Sequence, residues 1–293
     1  MRKNTRAIIY TIIGILTVFL NSTASFSAEP VNYNEELDKA TPEYVEKIYQ
    51  LALMEFDKQA YEESLKYIRH VIKSDMNHYK LRYLAAHDHW KLGHFDSATT
   101  HFQTILFIKP ENPQAYMDLA LMKIQERNYW AAESVLQTGM ATLKAANVFI
   151  PSKFYNIYAR IQLAKGFAEE ALKYAQLAKS AFEKNGAGVK DKLEAMTLEA
   201  RSHLLLENFD KAELAMQWAI AMRKDNVYAH NLLGYIYTRW AMKIAATEPK
   251  QAGFYKDMAI ESFKTAKKVP GVVEEFSTII DANLANANSI AVQ

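Results

Sequence analysis

Small residues recur through this chain at a near-constant interval: Ser64, Ala98, Ala132, Ala171, Ala212 and Ala259. An aromatic residue precedes each by three to five positions, as Tyr61, Phe95, Tyr129, Phe167, Phe209 and Phe254. Four positions after each stands Ile68, Phe102, Leu136, Ala175, Met216 or Phe263. Twelve residues before the first five lies a second small residue, Ala52, Ala86, Ala120, Ala159 or Ala200; in the sixth unit the partner is Gly234, 25 residues upstream. The units therefore start near 45, 79, 113, 152, 193 and 227, in steps of 34, 34, 39, 41 and 34. Self-similarity at such a period marks an array of supersecondary units.

A small residue on each of two helices lets their axes approach closely, and the aromatic side chain fills the notch between them. Each unit then reads as a helix–turn–helix with one apolar face left open, which a neighbouring unit must cover. Composition agrees. Half of the 293 residues are apolar, while nine Gly and seven Pro are too few to punctuate many strands.

The spacing resembles the tetratricopeptide repeat, whose pattern carries a small residue at position 8, Ala at 20, an aromatic at 24 and Pro at 32. Unit two shows it through Ala86, Gly93, Phe95, Ala98, Phe102 and Pro110. Unit six shows it through Leu233, Gly234, Tyr237, Ala259, Phe263 and Ala266. Units one, three, four and five lack the terminal Pro, and Ala175 replaces the aromatic in unit four. The resemblance spans about residues 45–270 and implies an all-α, right-handed α–α superhelical solenoid. It has about six helix pairs (near 45–78, 79–112, 113–151, 152–192, 193–226 and 227–270).

Two connections, 144–152 and 184–192, are longer and read as loops within one solenoid, with a domain boundary there as the alternative. Thirteen extra residues in unit six read as a hairpin of two lengthened helices around 240–255, or as an ordinary turn with an insert. Thr41-Pro42-Glu43 supplies an N-cap, a first-turn Pro and an early acid, so the first helix should start there. Val272, Val273, Phe276, Ile279, Ile280 and Leu284 fall at helical spacing and should cap the last unit, with a tail to residue 293.

Residues 1–28 carry the pattern of a secretory signal peptide: Arg2, Lys3 and Arg6, a 14-residue apolar run from Ala7 to Leu20, then small residues to Ala28. The run is shorter than the roughly 20 residues of a spanning helix. An exported, periplasmic or secreted protein is expected, with no stable membrane span after cleavage. An uncleaved N-terminal anchor is the alternative. Residues 29–41 read as a flexible lead-in. The net charge of +2 belongs to the leader: without it 32 basic and 33 acidic residues remain. That balance gives no reason to expect a nucleic-acid partner.

The sequence contains no cysteine, and no Gly-rich phosphate loop, G-x-S-x-G or H-E-x-x-H. Neither catalysis nor a cofactor or metal is expected. His87 and His89 are two residues apart on a helix, about 200° around its axis, so they should not share an ion. Trp90, Trp130, Trp218 and Trp240 read as packing residues, with sugar platforms as the alternative.

The resemblance also implies a ligand surface on the concave side, lined mainly by first-helix positions 2, 5, 9 and 12. Here these are Tyr49, Leu53, Phe56, Tyr83, His87, Trp90, Met117, Leu121 and Ile124 in units one to three. Units four to six place Lys153, Asn156, Arg160, Arg201, Tyr228, Asn231, Tyr235 and Arg239 on it. An aromatic half joined to a basic half suits an extended peptide whose apolar part leads to an acidic group. Packing against neighbouring helices would also account for several N-half residues. The Lys-Asn/Asn/Lys-Arg clamp by which some family members hold chaperone C-termini is missing. The expected function is a non-enzymatic scaffold binding a protein or peptide partner in the envelope. The alternatives are a structural subunit of a secretion, pilus or cell-wall assembly, and a glycan or small-ligand binder.

Overall fold

The computed structural model describes residues 41–74, 78–185 and 188–291; the leader and residues 29–40 lie outside them. The described residues form thirteen α-helices and no strand. In order they are α1 (Pro42–Asp57), α2 (Tyr61–Ser74), α3 (Tyr79–Lys91), α4 (Phe95–Ile108), α5 (Pro113–Gln125), α6 (Tyr129–Ala145) and α7 (Ser152–Lys165). There follow α8 (Ala168–Asn185), α9 (Val189–Leu205), α10 (Phe209–Met222), α11 (Val227–Ile244), α12 (Pro249–Lys268) and α13 (Glu274–Asn288).

The paired small residues sit where the helices meet. Ala52, Ala86, Ala120, Ala159 and Ala200 are all 0% exposed, as are Ser64, Ala98, Ala132, Ala171, Ala212 and Ala259. At Gly234 a Cβ would stand 2.7 Å from the Phe263 ring, and at Gly139 it would stand 2.6 Å from Tyr116. Close approach explains both glycines.

Each of the first five hairpins turns by the same device. Gln59, Gly93, Arg127, Gly166 and Glu207 adopt the left-handed conformation, at intervals of 34, 34, 39 and 41 residues. The amide after each returns to a carbonyl five residues back, for example Ala60 to Glu55 and Phe167 to Gln162. Thr41 caps α1, its Oγ1 accepting from the Tyr44 amide at 3.2 Å.

First helices of successive units touch one another (α1 with α3, α5 with α7, α7 with α9, α9 with α11), whereas second helices make no comparable contact. The odd-numbered helices thus form the inner row of an all-α superhelical solenoid. The cap α13 packs on α12 and α11 through Ile280, Phe276 and Leu284, leaving Val273 and Ile279 exposed. The 184–192 insertion differs from its reading as a loop. It is mostly helix, lengthening α8 to 18 residues and α9 to 17, with the left-over connection centred on Gly188. In unit six α11 and α12 reach 18 and 20 residues, joined by 245–248.

Candidate functional site

On the inner row, α1 presents Tyr49, Leu53 and Phe56, spaced four and three apart and so on one face. Across from them α3 presents Tyr79, Lys80, Tyr83, Leu84 and His87, and the two sets enclose a concavity of about 330 Å³. Its wall is stacked. Tyr83 lies 4.9 Å from His87 and edge-on to Phe102, and His87 lies 5.6 Å from Trp90. The Trp90 Nε1 donates to Gln125 Oε1 at 2.8 Å.

Behind this wall the buried Asp118 of α5 organises the polar groups. Its carboxylate accepts from the Tyr83 hydroxyl and from Gln114 Nε2 (2.8 Å), and lies 3.3 Å from His87 Nε2. Burial first, and the bond to Asp118 second, push the Tyr83 phenol well above its usual range. Asn112 and Lys109 hold Tyr79, the amide donating to its hydroxyl at 2.6 Å and the ammonium lying 4.4 Å from its ring centre. Lys80 stands over Tyr49 and 3.4 Å from Glu46.

A second concavity of about 390 Å³ lies further along the row. Leu163 (α7), Arg201, Leu204 and Leu205 (α9), Asn231, Leu232 and Tyr235 (α11) and Asn283 (α13) enclose it. Asn283 Nδ2 donates to Asn231 Oδ1 at 3.1 Å, so the capping helix completes the wall. Arg201 has no ion-pair partner among the described residues. Arg239 lies beside the same wall, its Nη1 3.5 Å from the Tyr235 hydroxyl.

The structure thus gathers eight of the inner residues expected from sequence into two concavities: Tyr49, Leu53, Phe56, Tyr83 and His87 in one, Arg201, Asn231 and Tyr235 in the other. Trp90 and Leu121 are half-buried outside them. Two are removed from the surface. Met117 is 3% exposed, because α5 is covered along residues 115–120 and the side chain packs into the core with Tyr116, Ala120 and Leu136. Asn156 is 0% exposed, its Nδ2 donating at 2.8 Å to the Asp191 carbonyl in the first turn of α9. Arg160 is matched by Glu194 of α9, which shrinks the basic half to Arg201 and Arg239. Sequence reasoning missed Tyr79, Lys80, Asp118, Gln114 and Asn283. Asp118 stands at position 6 of its unit, beside the positions considered, and no repeat pattern marks a residue of a capping helix.

The histidines separate as helical geometry requires. His87 faces the inner concavity, whereas His89 stacks on His101 (5.5 Å between centres, 14° between planes) and lies 5.8 Å from His94. Burial first, then His89 and Arg82, depress His101 to about 4. Among the described residues no three His, Asp or Glu side chains are placed to hold a metal ion. The tryptophans divide. Trp240 stacks between Phe209 and Tyr255. Trp130 and Trp218 instead stand 68% and 60% exposed, contrary to a packing role. The inner arrangement is one of recognition: aromatic faces, an anchored carboxylate and a free guanidinium on rigid helices.

The sequence profile described as the tetratricopeptide repeat matches residues 83–138 and 197–239. No curated protein matches the sequence. Among solved structures, a chain of the Cut9–Hcn1 hetero-tetramer of APC/C superimposes with TM-score 0.59 at 14% identity, over 82% of this chain. This chain spans only 42% of that one. A tetratricopeptide-repeat protein from Parabacteroides merdae gives 0.55 at 16% identity, covering 85% of this chain and 86% of its own. PilW, described as a type IV pilus biogenesis factor, gives 0.57 at 16% identity, covering 80% and 97%. At these identities the likeness is one of fold.

Proposed function

We propose that this chain, a member of the tetratricopeptide-repeat family, is an exported, non-enzymatic scaffold holding an extended segment of a partner protein along its inner row. The carrying observation is that separate first helices converge on two unlike concavities, one aromatic between α1 and α3, one with the unpaired Arg201 between α9, α11 and α13. Solenoids of this kind use their concave side for extended ligands. The aromatic concavity suits a large apolar side chain of the segment. Arg201, with Asn231 and Tyr235 beside it, suits a carboxylate, because a guanidinium presents paired N–H donors to two oxygens. Export rests on the basic, apolar and small-residue succession of residues 1–28. Among the described residues no helix is long and apolar enough to cross a membrane.

Selection of random 12-residue peptides on the full chain tests the reading. Selected peptides should pair an aromatic or aliphatic residue with an acidic one. Tyr49→Ala should weaken them about tenfold or more, mainly through faster dissociation. Arg201→Ala should weaken them and flatten the salt dependence of association. Unchanged affinity in both folded variants overturns the inner-row site. Mass spectrometry of the protein from its native host tests export: a mature species retaining Met1 overturns cleavage.

A further inference from the structure

Away from the inner row, the turns within units three, four and five carry apolar side chains that the fold does not cover. Trp130 opens α6 and is 68% exposed; Phe167, between α7 and α8, is 48% exposed; Leu205, at the end of α9, is 56% exposed. They are linked. The Lys165 ammonium lies 3.6 Å from the Trp130 ring centre and 4.8 Å from that of Phe167, so both rings flank one cation. Phe167 in turn shares a concavity of about 500 Å³ with Gly166, Glu169, Glu170, Leu205 and Leu206. The result is a continuous apolar edge across three successive turns.

This edge is rigid. Lys165 is itself buried and bound to Glu133, which also accepts from Gln162 at 2.6 Å. Burial works to raise the Glu133 carboxyl, but the bonds from Lys165 and Gln162 hold it below its usual value, so the ion pair under the rings is well seated. A neutralised cation beneath an indole fixes the ring while leaving its outer face bare. Gly166 sets the turn with φ +86° and delivers Phe167 outward. Contiguous apolar patches on a soluble surface mark interaction sites, and tryptophan is the residue most enriched among binding hot spots.

The charges beside the edge choose the partner. Glu169 and Glu170 flank Phe167 on the wall of the concavity; Glu170 reaches only the exposed Lys173, at 3.4 Å. Glu169 has no ion-pair partner among the described residues. The one cation at the centre, Lys165, is matched by Glu133. The rim is therefore acidic around an apolar floor. We propose that this turn edge is a second docking surface, taking a segment of a partner protein in which large apolar side chains stand next to a basic residue. The apolar side chains cover Trp130, Phe167 and Leu205 while the basic one meets Glu169 and Glu170.

The test uses the full chain carrying Tyr49→Ala and Arg201→Ala, which disables the inner row, and random 12-residue displayed peptides as the probe. Selected peptides should combine two or more large apolar residues with Lys or Arg. Their affinity should fall about tenfold or more with Trp130→Ala, with Phe167→Ser and, as an independent check should either lose helicity, with Leu205→Ser. Glu169→Lys with Glu170→Lys should reverse the preference toward acidic peptides. The proposal is overturned if no peptide is enriched, or if binding survives the Trp130→Ala, Phe167→Ser double variant. It is also overturned if sedimentation shows a dimer that Trp130→Ala disperses, since a second copy would then be the occupant. Because the inner row is already disabled, these outcomes leave the inner-row reading to its own experiment.

Discussion

Units one and two hide almost all of their large apolar side chains, leaving only Met54 and Phe107 exposed, whereas units four to six leave eleven in the open. Their repeat steps differ in the same sense: 34 residues at first, then 39 and 41. The aromatic that opens the second helix shows why. Tyr61, Phe95 and Tyr129 stand three residues before the small residue and turn inward to partial or fuller cover. Phe167 and Phe254 stand four and five before it, and are 48% and 58% exposed. One residue on a helix is about 100° of rotation, enough to move a ring from the notch to the surface. Strict spacing seals the array; relaxed spacing supplies it with surface.

That contrast predicts very unequal costs for the same chemistry. Phe102, 0% exposed in unit two, touches the core formed with Ala86, Ala98 and Ile105. Phe102→Ala should destabilise by roughly 3–5 kcal/mol, as loss of a buried ring does. Phe254→Ala should change stability by no more than about 0.5 kcal/mol, as expected at the surface. Gly234→Ala, which drives a Cβ into the Phe263 ring, should fall between them at roughly 1–3 kcal/mol. Urea titrations followed by circular dichroism would order the three. A Phe254→Ala loss comparable to that of Phe102→Ala would dissolve the distinction between the regions.

The fold was legible because its strongest constraint is steric, and a close helix crossing leaves small residues in the sequence at a countable interval. The inner surface was legible only in part. Met117 and Asp118 are neighbours on α5, yet the first packs into a core and the second anchors Tyr83 and Gln114 from behind the aromatic wall. Position in a repeat gives direction around a helix, not depth under the next one. Asn156 was misplaced for a related reason: its amide is spent on a carbonyl of α9, and that contact exists because the 184–192 insertion became helix. Asn283 was invisible to the repeat altogether. The outward face of Trp130 had a sign in the sequence only at its neighbour Phe167, where the aromatic spacing slips.

The regular region also contains the buried ionisable groups, so acid and base should probe it selectively. Asp88 is 0% exposed, accepts from the Ser64 hydroxyl at 2.8 Å, and is pushed up to about 7 by burial, which that bond opposes. A carboxyl raised in the folded state contributes stability that is full below about 4 and is lost as pH rises through 7. His101, depressed to about 4, contributes stability that is full above about 6.5 and is lost as pH falls toward 4. Asp88→Asn should therefore flatten the decline in melting temperature between pH 6 and 8. His101→Leu should flatten the decline between pH 6 and 4. Variants with the wild-type slope in both windows would place the titrating groups elsewhere in the chain.

The turns allow the finest test, because the same left-handed position is filled by different residues. Gly93 and Gly166 adopt it without a Cβ, while Arg127 (φ 59°) and Glu207 (φ 57°) adopt it against steric resistance. Their hydrogen bonding is the same: Gly93 donates to Trp90, Arg127 to Ile124, Gly166 to Leu163 and Glu207 to Leu204, all at 3.1 Å or less. Only the cost of the backbone angle differs, about 1 kcal/mol for a residue with a side chain. Arg127→Gly and Glu207→Gly should thus stabilise by up to about 1 kcal/mol, less whatever the freer unfolded chain takes back. Gly93→Ala and Gly166→Ala should destabilise by a similar amount, although no atom lies within 4 Å of either added Cβ. Arg127 belongs to the regular region and Glu207 to the relaxed one, so equal gains would show that the hairpin turn is shared across the array. A gain at Arg127 with none at Glu207 would show that the longer units hold their turns by other contacts. Melting curves of the four single variants, at one pH and salt concentration, distinguish these cases.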